Sequence, residues 1–195
     1  CIQFQAYALI EVDITRGNLN PLPIAVSPLS IDSQSKKEFE KLLKKKDIGS
    51  EISVVVENNL KASGLFNPLN KDAFLQKPDI AHLKPRFEDW RLIKAQALVT
   101  GKLLVKDDKL KVEFRLWDLT AAKEMTALAF TTTPSNWRRV AHIIADKIYE
   151  RLTGEEGYFD TRIIYVAESG PKSQRIKKLA IMDQDGANTK YLTLG

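Results

Sequence analysis

Two histidines, His82 and His142, one cysteine, Cys1, and three tryptophans, Trp90, Trp117 and Trp137, are the side chains from which catalysis, metal binding or ring stacking would be assembled. A metal site needs three or four ligands that converge. No grouping of His, Cys, Asp and Glu in this sequence has such spacing, so no catalytic residue and no metal ligand is assigned. His142 lies two positions after Val140, off the apolar stripe of its helix, which predicts a surface residue. His82 falls in a loop-like stretch, and the tryptophans read as core or half-core rings rather than a ligand cage. No G-x-S-x-G, P-loop or G-x-G-x-x-G pattern occurs. Gly154-Glu155-Glu156-Gly157 follows a helix instead of opening one, so it offers no helix N-terminus to a phosphate. The expectation is a protein that is not an enzyme and uses no cofactor.

Binding chemistry is better supplied. Leu9-Ile10-Glu11-Val12-Asp13-Ile14-Thr15-Arg16 alternates apolar and acidic residues over its centre, a strand-like pattern. Such a segment can add to an exposed sheet edge, with main-chain hydrogen bonds giving affinity and alternate side chains giving selectivity. The bland reading is an edge strand of its own sheet. The Lys41–Lys46 run lacks interleaved aromatics for base stacking and reads as a solvated helix face or loop. The net charge of +5 spreads over 30 basic and 25 acidic residues, so it sets solubility more than a nucleic-acid footprint. Two function classes stay open from the residues alone: a protein–protein adaptor, and a small basic α/β domain that binds nucleic acid or a small ligand. Duplex DNA at two salt concentrations separates them, because phosphate-driven binding falls steeply with salt.

The elements that would position these residues follow from periodicity. No stretch reaches the ~20 apolar residues of a membrane helix. Ala6-Tyr7-Ala8 has the small-x-small pattern of a signal-peptidase site, so residues 1–8 read as the end of a secretory signal, with Cys1 as its remnant or a modified terminus. Prolines bound a central strand at Ile24–Ser27. Glu38–Lys46 can be helical with a thin apolar face. Ile52, Val55, Val56 and Leu60 mark a helix from 51 to 62, with Ser50 as N-cap and Gly64 as stop. Phe66–Leu69 is a short edge, 77–85 a loop, and Phe87–Ile93 a short helix. Strands 97–105, 110–118 and 124–132 form a meander whose first turn is Lys106-Asp107-Asp108-Lys109. Ser135 caps the clearest helix, whose stripe is Trp137, Val140, Ala141, Ile144, Ala145, Ile148 and Leu152. Strands 163–168 and 177–184 then pair, Asp185-Gly186 turns, and Lys190–Leu194 starts another strand. The fold class is α/β (α+β): a mixed β-sheet packed by two or three helices, followed by a further pair of strands.

Five stretches in this order resemble the TolB family of the periplasmic Tol-Pal envelope system. They are the acidic-apolar N-terminal segment, Pro23-Ile24-Ala25-Val26-Ser27-Pro28, Asp47-Ile48-Gly49, Asn59–Leu69, and the tail Leu152–Val166. The resemblance implies an N-terminal α/β domain joined to a six-bladed β-propeller. It places a domain at 9–152, a connector at 153–161 and the beginning of a first blade at 162–195. It implies a periplasmic, non-catalytic adaptor supporting outer-membrane integrity and cell division. The TolA C-terminal domain would bind at Leu9, Ile10, Glu11, Val12, Asp13, Ile14, Thr15 and Arg16. The Pal lipoprotein would bind mainly through the propeller, with no nucleic acid and no direct membrane insertion. The run Ser33–Lys46 departs from the family pattern in being longer and more basic than expected.

Overall fold

The computed structural model of the chain describes residues 20–44 and 47–194. In chain order these form β1 (Leu22–Val26), β2 (Ser30–Ile31), α1 (Ser33–Leu43), α2 (Ile48–Ala62), β3 (Phe66–Pro68), α3 (Pro78–Ala81), α4 (Phe87–Leu92), β4 (Ala97–Lys106), β5 (Lys109–Asp118), β6 (Lys123–Thr132), α5 (Trp137–Thr153), β7 (Arg162–Ser169), β8 (Ile176–Asp183) and β9 (Lys190–Tyr191).

Two sheets result. In the first, β3, β1, β4, β5 and β6 lie side by side in that order, and β2 also pairs with β4. β1 runs parallel to both neighbours, with Ile24 opposite Pro68 on one side and Ala97 on the other. β4, β5 and β6 form the antiparallel meander. Its first turn puts Asp107 and Asp108 at φ 52° and 55°, the doubly left-handed geometry that matches the twist of a two-residue hairpin. The mixed sheet with helices is the architecture the sequence predicts.

β1 is apolar throughout because both its faces are covered. Ile24 and Val26 face the larger core with α2 and α5, whereas Ala25 faces a smaller core under Trp90, Leu98 and Leu119. Every residue of the two predicted helix stripes, from Ile52 to Leu60 and from Trp137 to Leu152, is buried in the larger core. Pro23 sits inside β1 near its start, where its carbonyl still accepts the Gln96 N–H at 2.9 Å.

Several expectations are corrected. Asp47, not Ser50, caps α2: its carboxylate accepts the Ser50 N–H at 3.2 Å. Gly49 then lies in the first turn, where an added Cβ would meet the Leu29 carbonyl oxygen at 2.1 Å. That close approach gives Asp47-Ile48-Gly49 a physical reason. α1 begins at Ser33, five residues before the expected helix, because Asp32 accepts the Gln34 and Ser35 N–H groups at 2.9 Å. The expected loop at 77–85 contains the single-turn α3, started by Pro78. Ser135 does not cap α5; the N-cap is Asn136, which makes no side-chain hydrogen bond to the helix.

The second sheet, β7-β8-β9, is antiparallel, with Ile163 opposite Met182 and Val166 opposite Leu179. It leaves Ile163, Ile164, Val166 and Leu179 exposed, while Ala180 is buried.

Candidate interaction site

The residues that the sequence singles out for partner binding, Leu9 to Arg16, lie outside the described residues. The described chain takes up at Asn20, and two residues later Leu22 is buried and donates its N–H to the Leu65 carbonyl at 2.9 Å. The segment therefore precedes directly a strand held between two parallel neighbours.

Within the described residues the densest polar constellation lies between the start of α5 and the second sheet. Arg138, His142 and Asp146 recur every fourth residue, one line along the helix beside its apolar stripe. His142 is 2% exposed, which overturns the surface placement. The ring meets Asn59 of α2, itself buried. Gln184 donates to Asn59 Oδ1 at 3.0 Å, which turns the Asn59 amide nitrogen to His142 Nδ1 at 2.8 Å. Nδ1 is thus the acceptor, and the ring proton sits on Nε2. Nε2 is buried and has no hydrogen-bond partner; Asp185 Oδ2 stands 3.8 Å away. Burial holds the imidazole below its usual range, opposed by the Asp185 carboxylate and helped by the Arg138 guanidinium.

The surrounding charges are paired across the seam. Arg138 donates to Asp185, Arg139 to Asp160 at 3.1 Å, and Arg162 stands 3.9 Å from Asp183. Asn188 donates to Asp183 at 2.5 Å. Arg138, Arg139, Asp160, Arg162, Asp183 and Asn188 line a cleft of about 270 Å³ together with His142, Ser135, Asn136 and Lys190. His142, Asp183 and Asp185 bring candidate metal-ligand atoms within 4.8 Å of one another, a grouping that no sequence spacing announces. The histidine offers an N–H, and the two carboxylates already accept from Asn188 and Arg138.

The third member of the polar line clamps the chain that follows α5. Asp146 accepts the N–H groups of Phe159 and Asp160 at 2.6 and 3.0 Å. Burial pushes its carboxyl up, partly offset by these two donors. Gly154 closes α5 at φ 77°, and Gly157 passes so close that an added Cβ would stand 2.4 Å from Asp146 Cα. Phe159 is thereby seated in the larger core, edge-on to Tyr149.

The other sequence candidates are placed singly. His82 ends α3, with Nδ1 3.0 Å from the Asp79 carbonyl. Trp90 and Trp137 are buried and Trp117 is half-buried, as core rings. Lys41 and Lys44 are exposed at the end of α1, and Lys45 and Lys46 lie outside the described residues. On the outer face of the meander, Glu113 pairs with Lys102 and Lys111, and Glu124 with Arg115, so no unopposed cationic stripe runs there. No helix among the described residues is long and apolar enough to cross a membrane.

Comparison with known proteins gives a consistent result. The family model described as the TolB amino-terminal domain matches residues 10–125. The chain is 77% identical over 194 residues to the Tol-Pal system protein TolB of Pelagibacter ubique (strain HTCC1062). That match takes in 100% of this chain and 44% of the relative, so the chain spans less than half the relative's length. Among solved structures, TolB from Acinetobacter baumannii superimposes with a TM-score of 0.72 at 23% identity, covering 95% of this chain and 41% of that one. At that identity the likeness is one of fold.

Proposed function

The chain belongs to the TolB amino-terminal domain family, and from that premise we propose that it works as a non-catalytic adaptor of the Tol-Pal envelope system in the periplasm. The observation that carries this reading is the family match over residues 10–125, with 77% identity to a Tol-Pal TolB along the whole chain. The segment Leu9–Arg16 is its partner-binding element, and the TolA C-terminal domain is the partner. Strand addition explains why an alternating apolar-acidic segment serves: its own main chain carries the affinity. Residues 9–152 act as the adaptor domain, 153–161 as the connector and 162–195 as the beginning of a propeller blade. Contact with Pal falls mainly to the propeller. Through these contacts the protein supports outer-membrane integrity and cell division.

The test is deletion of residues 9–20. The domain core starts at Leu22, so the thermal midpoint should change little, while titration with the TolA C-terminal domain should show binding abolished. Val12→Pro should act similarly, because proline removes one donor and fixes φ. Intact TolA binding after the deletion, or an unfolded domain, would make the segment structural and remove the named site.

A further inference from the structure

The first sheet ends in two edges of different character. β3 is three residues long and closes on Pro68, which gives a neighbour little to pair with. β6 is ten residues long, and from Thr126 to Thr132 it contains no charged residue, no glycine and no proline. The strand beside it differs: β5 alternates Lys109, Lys111, Glu113 and Arg115 with apolar residues. Edge strands are usually blunted by lysine, proline or a bulge, because a bare edge is a template for another strand. The bulge in β6 lies at Met125, before the uncharged run, and leaves the run itself regular.

The hairpin fixes which groups this edge offers. Lys106 and Lys109 close the two-residue turn, so they exchange both their hydrogen bonds, and every second pair along β4 and β5 does the same. The alternate residues of β5, Leu110, Val112, Phe114 and Leu116, therefore bond to β6, at Thr132, Phe130, Leu128 and Thr126. That leaves the N–H and C=O groups of Ala127, Ala129 and Thr131 pointing away from the sheet. Among the described residues nothing bonds to them: Arg151 reaches only the Met125 carbonyl, and Asn136 only the Thr132 hydroxyl. The side chains add apolar surface. Leu128 pairs with Phe114 and so belongs to the core face, yet it is 38% exposed, because no strand lies beyond it.

We propose that β6 pairs antiparallel with β6 of a second copy of this chain, about a two-fold axis at Ala129. In this register Ala129 faces Ala129, and Ala127 of one copy faces Thr131 of the other, so every outward N–H and C=O of the run is bonded. An axis at Leu128 would set Thr131 against Met125, whose carbonyl Arg151 already holds at the bulge. An axis at Phe130 would set Ala127 against Thr133, outside the strand and next to Pro134. The Ala129 register also puts Leu128 opposite Phe130 on the core face. Those are the closer, non-hydrogen-bonded positions, where an aliphatic–aromatic pair is stabilising. On the other face only Ala127, Ala129 and Thr131 meet, so no bulk keeps the strands apart. A second copy is the occupant because the run is its own complement. It holds no charge to repel its copy and none by which to select a charged partner. Lys123 and Glu124 fall outside the paired run. One strand pair covers less than the roughly 1,200 Å² of a lasting complex, so the dimer forms and dissociates with concentration.

The test is sedimentation velocity of the full chain over a concentration series from micromolar to near-millimolar. A reversible monomer–dimer equilibrium is expected. Ala129→Lys sets two lysines directly opposite each other at the axis and should weaken association about tenfold or more. The Ala127, Ala129 and Thr131 side chains are all exposed, so substitutions there should keep the fold, which the thermal midpoint checks. Two double variants read the register. Ala127→Lys/Thr131→Glu places opposite charges across both ends of the pair and should keep the dimer. Ala127→Lys/Thr131→Lys places like charges there and should abolish it. Val166→Glu, on the exposed face of the second sheet, should leave the equilibrium unchanged. A chain that stays monomeric throughout the series overturns the proposal, as does a dimer that Val166→Glu dissolves. So does a dimer that survives both Ala129→Lys and Ala127→Lys/Thr131→Lys, or one that the two double variants weaken equally. Should Ala129→Lys fail to fold, the double variants decide.

Discussion

Replacing Gly157 by alanine tests whether the chain after α5 is held by close approach rather than by an unusual backbone angle. The added Cβ would stand 2.4 Å from Asp146 Cα, 2.5 Å from its Cβ and 2.6 Å from Oδ1. Two of these atoms belong to the rigid root of a helical residue and cannot swing aside. Ordinary carbon contacts lie near 3.5–4.0 Å, so the connector must retreat by about 1 Å. That retreat stretches the bonds from the Phe159 and Asp160 N–H groups to Asp146 and lifts Phe159, which is 0% exposed, out of the core. Overpacking of this kind costs about 1–3 kcal/mol. Weakening two hydrogen bonds to a charged acceptor adds about 1 kcal/mol or more, for a total of about 2–4 kcal/mol. Gly154→Ala is the control. Its φ is 77° with nothing within 4 Å, so it should cost only about 1 kcal/mol for the left-handed conformation. Urea unfolding followed by Trp fluorescence measures both. If Gly157→Ala costs no more than Gly154→Ala, the contact with Asp146 does not hold the connector and the reasoning fails.

Two further outcomes are expected. Trp137→Ala should cost about 3–5 kcal/mol, because the ring is 7% exposed and belongs to the larger core; a loss below about 1 kcal/mol would remove it from that core. His142 has a folded-state pKa below its ordinary 6.5, so in the window under that value the unfolded chain takes up a proton that the folded chain refuses. Its contribution is present above that window and lost as pH falls through it. Urea midpoints should therefore drop on mild acidification, and His142→Gln should flatten part of that slope; an unaltered slope would mean that His142 does not titrate differently on folding.

The core was legible because its pattern is local. Both helix stripes and the Asp107-Asp108 turn are periodicities or dipeptides that the chain displays within a few residues, and each is found as read. The caps were less legible, since several polar residues compete at each helix start. Asp47 and Asp32 win over later serines because a carboxylate accepts more strongly than a hydroxyl. His142 was misplaced for a different reason. A polar residue beside an apolar stripe looks solvent-facing, but another helix covers that side, and Asn59, 83 positions away, supplies the partner. The spacing that could have revealed it is the fourfold recurrence of Arg138, His142 and Asp146, a polar line on a helix already committed to the core. Asp183 ends β8 and Asp185 lies in the turn after it, and no spacing links them to α5.

α5 thus carries two lines with different physical tasks. The apolar one is seated against the sheet and sets stability. The polar one handles whatever follows the helix, in the order of the chain reversed: Asp146 first receives the connector at Phe159, and Arg138 and His142 then meet the hairpin near Asp185. The two attachments differ in strength. Phe159 brings an aromatic ring into the larger core, so the connector is held by burial. Beyond Thr161 the links from the second sheet to α2 and α5 are polar, Gln184 to Asn59 and Asp185 to Arg138. Polar links exchange with water at small net cost, about 0.5–1.5 kcal/mol each. Separation between the two sheets should therefore begin after Phe159, with Asp146 still bound. Salt screens the exposed ion pairs along this seam, such as Arg139 with Asp160, and leaves the burial of Phe159 in place.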